Sequence, residues 1–141
     1  MELPWHDDDM SEILTGSHTV AVVGLSNDRF RPSHGVARYL QEEGYQIIPV
    51  NPKEQEILGE RCYPDLASIP GSVDVVDVFR KSDFVPEIVD QAIRIGARAV
   101  WLQLGVWNVE AGERARKAGL KVVMNRCMAT ELQKRSGVAE G

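Results

Sequence analysis

Five short apolar segments alternate with stretches of helical period along the chain. These segments are continuous and are bounded by glycine, proline or asparagine, a pattern typical of strands buried on both faces of a parallel sheet. The predicted strands are Thr19–Val23, Gln46–Val50, Val73–Phe79, Ala97–Gln103 and Leu120–Met124.

The segments between these strands have helical periodicity. Apolar residues recur three and four positions apart, and each of three segments ends at a glycine, which commonly terminates a helix. Two further helices are expected near the ends of the chain, and residues 53–72 predict a short strand or turn followed by one helical turn. The predicted helices are Asp9–Thr15, Ser33–Glu43, Phe84–Ile95, Val109–Ala118 and Thr130–Arg135.

This alternation of strands and helices predicts an α/β fold of the Rossmann type. Parallel neighbouring strands need crossover helices, so the expected structure is a three-layer, doubly wound, mainly parallel five-stranded sheet. A chain of 141 residues is the size of one domain. We expect that domain to span residues 19–135, with a helical extension at 1–18 and a tail at 136–141.

Doubly wound sheets bind ligands at the carboxyl ends of their strands, so the residues that follow each strand are candidates for a site. The first strand is followed by Gly24, Ser26, Asn27, Arg29 and Arg31. Gly24 allows a tight turn, the two polar side chains offer donors, and either arginine can pair with a pyrophosphate beside the N-terminus of the next helix. The G-x-G-x-x-G dinucleotide fingerprint is absent. A surface loop that only joins strand to helix is the alternative.

The second strand is followed by Asn51, Pro52 and Lys53. Enzymes that use NAD usually have an acidic residue here, which binds the ribose hydroxyls. A lysine instead favours a ribose that carries a phosphate, as in coenzyme A or NADP. An ordinary solvated lysine in a turn is the alternative.

The third and fourth strands are followed by Phe79 and Arg80, and by Gln103 and Gly105. An aromatic ring at a strand end can flank an adenine or a pantetheine arm, and Arg80 is either part of the site or solvated. Gln103 can form hydrogen bonds in a largely apolar opening, and Gly105 permits close approach of the backbone. These four residues complete the predicted ligand-binding set.

Cysteines and histidines do not form a recognisable reactive or metal-binding motif. Cys62 and Cys127 are expected to be free thiols, and Cys127 is either a reactive thiol or a half-buried structural residue. His6, His18 and His34 lack metal-ligand spacing, and no nucleophile motif is present. We therefore predict neither a metal site nor catalytic residues.

Charge and hydropathy restrict the expected partners and location. The net charge of −5 is unusual for a protein that binds nucleic acid. No apolar run approaches the roughly 20 residues of a membrane span, and residues 1–10 lack the features of a secretory signal. We expect a cytoplasmic protein that binds a small molecule, without nucleic-acid or membrane partners.

Five stretches in register make the chain similar to the small CoA-binding domain proteins, a family of stand-alone Rossmann modules. This family resembles the N-terminal CoA-binding domain of the succinyl-CoA synthetase α subunit and of ADP-forming acyl-CoA synthetases. The resemblance runs from about residue 15 to residue 135. The matching stretches are Val22–Ser26, Pro49–Pro52, Val73–Arg80, Val100–Val106 and Asn125–Cys127.

The resemblance implies that coenzyme A is the ligand. The loop Gly24–Arg31 would bind its phosphates, Lys53 would meet the phosphate at the adenine-ribose end, and the loops at Phe79-Arg80 and Gln103–Gly105 would line the adenine or the pantetheine arm. The chain reads Asn125-Arg126-Cys127-Met128 where relatives more often read Asp-Arg-Cys-Pro. The ligases also need a phosphorylated histidine domain and a nucleotide-binding subunit, so we do not expect a whole synthetase here.

These observations lead to one main hypothesis and two alternatives. The main hypothesis is a protein that binds CoA or acyl-CoA and has no catalytic activity of its own. It would act as a carrier, a sensor or the partner of an acyl-CoA enzyme. A protein partner or a homo-oligomer is a further possibility. The alternatives are an NADP-dependent oxidoreductase and a redox-regulatory module that acts through Cys127.

Overall fold

The computed structural model describes residues 7–140 of the chain and the side chains of residues 9–135. Its centre is a parallel sheet of five strands in the order β2-β1-β5-β6-β7, beside a two-stranded antiparallel hairpin formed by β3 and β4. The strands are β1 (Thr19–Val23), β2 (Gln46–Val50), β3 (Glu56–Ile57), β4 (Glu60–Arg61), β5 (Val75–Val78), β6 (Ala99–Leu102) and β7 (Lys121–Val123).

Helices cover both faces of the sheet. One face carries α1, α2 and α5, and the other carries α3 and α4, which pack against each other. The helices are α1 (Asp7–Gly16), α2 (Pro32–Glu42), α3 (Val85–Arg94), α4 (Val109–Lys117) and α5 (Met128–Glu140).

The predicted α/β class and all five strands are confirmed. The later strands are shorter than the apolar pattern suggests, since Val73 and Asp74 precede β5 and Phe79 follows it. The Asp74 carbonyl still accepts from the Ala99 N–H at 3.0 Å, but its own N–H donates to the Thr19 hydroxyl at 2.9 Å. Its carboxylate accepts hydrogen bonds from the backbone N–H groups of His18 (2.7 Å) and Thr19 (3.1 Å). This contact fixes the start of β1 against the start of β5.

The connection between β2 and β5 is a hairpin followed by a helical turn, as predicted for residues 53–72. The hairpin turns at Leu58 and Gly59, which both have positive φ (56° and 77°), as a tight two-residue turn requires. A short 3₁₀ turn at Leu66–Ser68 follows, and the Asp65 carboxylate caps it by accepting from the Ser68 N–H. Helix α5 begins two residues before the predicted one and extends beyond its end.

The core lies between the central strands and the helices. Every residue of β5 and β6 is buried, because helices cover both faces of these strands. Trp101 is fully buried and donates its indole N–H to the Arg126 carbonyl at 2.9 Å, so the segment before α5 is attached to the sheet. Within the described residues, no helix has the length and apolar character needed to cross a bilayer.

The carboxyl ends of β1 and β5 approach each other closely at Gly24. The sheet order reverses direction here, since β1 pairs with β2 on one side and with β5 on the other. Gly24 has a φ of +85°, and a Cβ at this position would lie 2.7 Å from the Phe79 carbonyl oxygen. A glycine is therefore required for both conformation and space.

We expect Gly24→Ala to lower the free energy of unfolding by about 2 kcal/mol or more, because the left-handed backbone conformation and the backbone contact both disfavour a methyl group. Urea denaturation at neutral pH measures the change. Gly119→Ala is the matched control: Gly119 also has a positive φ (+96°), but a Cβ there would have open space within 4 Å. Its loss should be about 1 kcal/mol, and equal losses at the two sites would contradict the close-approach argument.

Candidate functional site

A cavity of about 670 Å³ opens at the carboxyl ends of β1, β5 and β6, next to the N-terminus of α2. Its volume is in the range of pockets that bind cofactors and other small ligands. The structure brings six of the residues predicted from the sequence together in its wall: Gly24, Ser26, Arg31, Phe79, Arg80 and Gln103.

The loop between β1 and α2 is held in a fixed shape by its own hydrogen bonds. The buried Ser33 hydroxyl accepts from the Ser26 N–H at 3.0 Å, and the Ser26 hydroxyl accepts from the Asp28 N–H at 3.0 Å. The Asp28 carboxylate then accepts from the Phe30 N–H at 2.9 Å. These serial contacts curl the loop around one side of the cavity.

The N-terminus of α2 is oriented toward the cavity, which Pro32 and Ser33 line. Arg31 occupies the cap position with an extended backbone, and in the described part of the chain no side chain caps the helix. The first-turn N–H groups of a helix carry partial positive charge and bind anions. Together with the Arg31 side chain, they make this end of the cavity suited to a phosphate.

Asn27 and Arg29 do not line this cavity. The Asn27 side-chain amide donates to the Glu54 carboxylate at 3.2 Å, and the Arg29 guanidinium lies 4.9 Å from the centre of the Phe30 ring. Both residues remain at the loop's outer surface, so their predicted contact with ligand would require these local contacts to change.

Asn51 links the ends of β1 and β2. Its amide donates to the Leu25 carbonyl at 3.0 Å, and its side-chain oxygen accepts from the Lys53 N–H at 2.8 Å. The Lys53 side chain is exposed and does not line the main cavity. Asn51 thus has a structural role, while the ligand roles of Asn51 and Lys53 stay predictions.

A smaller cavity of about 240 Å³ lies at the same edge, on the α3 side of the sheet. Gly24 and Arg80 line both cavities, and Pro52 lines the smaller one. The Arg80 guanidinium lies 4.2 Å from the centre of the Phe84 ring, which holds the side chain along this shared boundary. An elongated ligand could therefore pass from one cavity to the other over Gly24.

Gly105 is next to the cavity but is not part of its lining. Its N–H donates to the side-chain oxygen of Asn125 at 2.8 Å, and Asn125 itself has a φ of +56°. Asparagine tolerates this left-handed conformation better than most residues. Asn125 therefore has a structural use, since it fixes the loop after β6 against the loop after β7.

Six other residues line the cavity. Ser33 and Val36 project from the first turns of α2, beside Pro32; Leu104 and Val106 follow β6, and Cys127 precedes α5. Leu104 belongs to the loop Gln103–Gly105 that the family resemblance assigns to the ligand, whereas the side chains of the other five were not predicted to contact it. Helical spacing could have revealed the first two, because both lie on the first turns of a helix whose N-terminus was already assigned to the site. The loop residues carry no comparable signal.

The two cysteines have different surroundings, and both are free thiols. Cys62 is buried away from the main cavity, and burial raises the pKa of its thiol. Cys127 is half-buried and lines the cavity. Among the described residues, no cluster of three or more histidine, cysteine or acidic side chains is arranged to bind a metal ion.

Four large apolar side chains are exposed in the described part of the chain, and all belong to loops at this edge of the sheet. They are Phe30, Phe84, Leu104 and Trp107. Phe30 and Leu104 are 82% and 67% exposed. Leu104 lines the main cavity and Phe84 lines the smaller one, whereas Phe30 and Trp107 are in the neighbouring loops outside both linings.

Asp77 is a fully buried carboxyl beneath the cavity. Its Oδ1 accepts from the side-chain amide of Gln103 at 2.6 Å, and among the described residues its Oδ2 has no hydrogen-bond partner. Burial raises the pKa of Asp77 to about 7, although the hydrogen bond from Gln103 lowers it in part. The sequence analysis did not select this residue, because it lies inside an apolar strand.

We expect stability to fall as the pH rises from about 4 to about 7. The native carboxyl of Asp77 keeps its proton up to a pKa of about 7, whereas the unfolded chain releases it at the ordinary value of 3.8. The native state then binds more protons, so the free energy of unfolding decreases across this window, by up to about 4 kcal/mol. Asp77→Asn, which cannot ionise, should remove that decrease in urea denaturation from pH 4 to 8.

Asp74→Asn is the control for this experiment. Burial raises the pKa of Asp74, but hydrogen bonds from His18 and Thr19 and the charge of Arg98 outweigh it and lower the pKa overall. This substitution should destabilise the fold at neutral pH, but the free energy of unfolding should still decrease between pH 4 and 7. Parallel stability curves for the wild type and Asp77→Asn would contradict the assignment.

Comparison with known proteins places this geometry in a family. The CoA binding domain profile matches residues 18–133, nearly the whole chain. An uncharacterised Bacillus subtilis protein, YneT, is 39% identical over 120 residues, which cover 85% of this chain and 89% of that one. The structure of a hypothetical protein from Pyrococcus horikoshii is 45% identical and superposes with a TM-score of 0.87, covering 92% of this chain and 91% of that one.

A longer relative is the ADP-forming acetate–CoA ligase I subunit alpha from Pyrococcus furiosus. It is 30% identical over 118 residues, and the match covers 79% of this chain but 25% of that subunit. The chain thus corresponds to about a quarter of the ligase subunit. The matched profile and the full-length likeness to YneT show that the chain belongs to the CoA-binding domain family.

Proposed function

We propose that this protein binds coenzyme A or an acyl-CoA in the cavity at the carboxyl edge of the sheet, without catalysing a reaction itself. The observation that carries this proposal is the two-sided character of the cavity. One end has the uncapped α2 N-terminus and Arg31, and the other end is lined by Phe79, Leu104 and Val106 around one amide, Gln103.

The positive end of the cavity supports a phosphate ligand. Backbone N–H groups at a helix N-terminus and an arginine side chain are both good partners for a pyrophosphate. Arg80 adds a second cation at the boundary with the smaller cavity. The two arginines could therefore contact the pyrophosphate and the phosphate-bearing ribose of one ligand.

The apolar end supports a pantetheine arm. This arm is a chain of methylene and methyl groups interrupted by amides, so it needs an apolar channel with a small number of hydrogen-bonding groups. Gln103 provides such a group in an otherwise apolar wall. A nicotinamide dinucleotide would instead need a second ribose and ring to be held here, and the chain lacks the glycine fingerprint for it.

The exposed apolar side chains at this edge of the sheet support a role that involves a further molecule. Phe30, Leu104 and Trp107 are exposed in the loops after β1 and β6, where an acyl group or the surface of a partner protein would cover them. The related acetate–CoA ligase subunit joins a comparable domain to a longer chain. A carrier, a sensor or the separate partner of an acyl-CoA enzyme fits this arrangement.

CoA should raise the melting temperature of the protein, because a ligand that binds the native state alone stabilises it. A thermal-shift panel of CoA, acetyl-CoA, longer acyl-CoAs, NAD and NADP tests this at millimolar ligand. We expect a shift of several degrees with CoA or its thioesters and none with the dinucleotides. No shift with CoA together with several degrees for NADP would overturn the proposal in favour of an oxidoreductase.

Arg31→Ala should weaken CoA binding by about tenfold or more, because it removes a charged hydrogen-bond donor from the cavity wall. Isothermal titration calorimetry measures the dissociation constant. Arg29→Ala is the matched control, since Arg29 is in the same loop but contacts Phe30 outside the cavity. Similar losses in both variants would show a general effect of net charge and not a phosphate contact at Arg31.

The same titrations with dephospho-CoA test Lys53. If Lys53 binds the phosphate on the ribose, Lys53→Ala should weaken CoA by about tenfold and leave dephospho-CoA nearly unchanged. Equal losses for the two ligands would remove that assignment. Arg80→Ala, measured in parallel, shows whether the cation at the cavity boundary performs this role.

Bound CoA should protect Cys127 from alkylation, because the thiol lines the cavity that the ligand would fill. Mass spectrometry after a timed iodoacetamide reaction, with and without CoA, measures the modified fraction of each cysteine. Cys62 is the internal control, since it is buried elsewhere. An unchanged rate at Cys127 under saturating CoA would place the ligand outside this cavity.

A further inference from the structure

The buried pair Asp77–Gln103 connects the interior of the sheet to the cavity wall. Asp77 has no solvent exposure, Gln103 is 4% exposed, and the side-chain amide of Gln103 donates to the carboxylate at 2.6 Å. Gln103 lines the cavity and Asp77 does not. The carboxyl is thus positioned behind the amide, which separates it from the cavity.

The register of the sheet shows which side of it Asp77 occupies. Asp77 is aligned with Trp101, which is aligned with Val123. Val122, the residue before Val123, faces Gly112 of α4. Since neighbouring side chains of a strand point to opposite faces, Asp77, Trp101 and Val123 face the other side of the sheet, where α2 and α5 lie. The cavity is on this side as well, and Asp77 therefore lies one layer beneath its floor.

We propose that Asp77 is a positioning residue that sets the hydrogen-bonding polarity of the cavity wall by fixing the amide of Gln103. While the carboxylate accepts from Nε2, the carbonyl oxygen Oε1 of Gln103 faces the cavity and accepts from an N–H or S–H donor of the ligand. The identity of that ligand rests on the proposed function; the coupling between the two side chains does not.

Protonation of Asp77 reverses this polarity. A protonated carboxyl can donate to Oε1, and the rotated amide then presents its NH₂ group to the cavity, where a ligand carbonyl is the matching partner. The reversal needs only one proton from solvent and a rotation of the amide. The pKa of Asp77, raised by burial to about 7, places the change near neutral pH.

Other titratable groups around Asp77 are accounted for by their own contacts or positions. The flanking residues of β1 and β6 are Val22 and Trp101, which do not titrate in this range. Helix α5 contributes Glu131, which is paired with Lys134 at 3.2 Å and with Arg135 at 3.6 Å.

The remaining groups lie on α2 and in the cavity wall. Helix α2 contributes His34, which follows the buried Ser33 and is partly exposed. The wall contributes Arg31, Arg80 and Cys127. His34→Gln belongs in the experiment as a second control, because it removes the imidazole that α2 places next to Ser33.

Nuclear magnetic resonance of the glutamine side-chain amides tests the coupling without any ligand. The resonance of Gln103, identified by its loss in Gln103→Leu, should shift with pH in one step with a midpoint near 7. The step should be absent in Asp77→Asn and retained in Asp74→Asn and His34→Gln. A Gln103 resonance that does not move with pH, or that still moves in Asp77→Asn, would overturn the inference.

Calorimetric titration with CoA from pH 5.5 to 8.5 tests the effect on binding. The phosphate of CoA also titrates near pH 6, but equally for every variant, so the ratio of wild-type to Asp77→Asn affinity isolates the carboxyl. We expect this ratio to change about fivefold around the amide midpoint, the effect of one hydrogen bond gained or lost. A constant ratio would overturn the role in ligand selection.

Gln103→Leu gives a second route to the same conclusion, because it leaves Asp77 in place and removes both polarities. The affinity of this variant for CoA should vary with pH in the same way as the affinity of Asp77→Asn. If its affinity instead varied with pH as that of the wild type does, the inference would be contradicted. If CoA fails to bind at any pH, the proposed function fails, and the resonance experiment still decides whether Asp77 controls the amide.

Discussion

The contact between the carboxyl ends of β1 and β5 is the constraint on which the site depends. The Gly24 N–H continues the ladder to the Val50 carbonyl at 2.9 Å, and the Phe79 N–H continues it to the Val23 carbonyl at 2.8 Å. Because these two bonds end β2, β1 and β5 at one level, the loops that follow these strands leave the sheet together. The position of α2 and of Arg80 follows from this common departure point.

Two aspartates of one apolar segment show how position decides the behaviour of a carboxyl. Asp74 is at the amino edge of the sheet, where backbone N–H groups stabilise its charge and the pKa is lowered. Asp77 is three residues along, between Val22 and Trp101, where burial disfavours the charge and the pKa is raised. One residue type thus provides a structural anchor at one edge and a proton-binding group beneath the cavity near the other.

The fold could be predicted largely from the sequence because local signals agree with each other. Buried parallel strands appear as continuous apolar runs, and glycines mark the ends of the crossover helices. Strand ends such as those of β5 were less predictable, because the Asp74 side chain and N–H bond to residues 55 and 56 positions earlier in the chain. Such long-range contacts leave no local pattern.

The candidate site was predictable where it follows directly from topology, since Gly24 and Gln103 each come just after a strand and the carboxyl ends of parallel strands meet at one edge.

Loop paths decide the rest of the site. Arg29 and Arg31 are two residues apart, yet one faces Phe30 and the other the cavity. Asp77 could not be found from the sequence, since its importance comes from an unpaired oxygen inside the part of the core that the structure describes.

The hydrogen bonds within the loop after β1 also have a consequence for the rate of ligand exchange, because Ser33 and its partners already hold this loop in the shape that surrounds the cavity. A ligand would not have to order this segment on arrival, so the entropic penalty of binding is small on that side. Association should then be limited by encounter and orientation at the open rim, and residence time by the contacts inside.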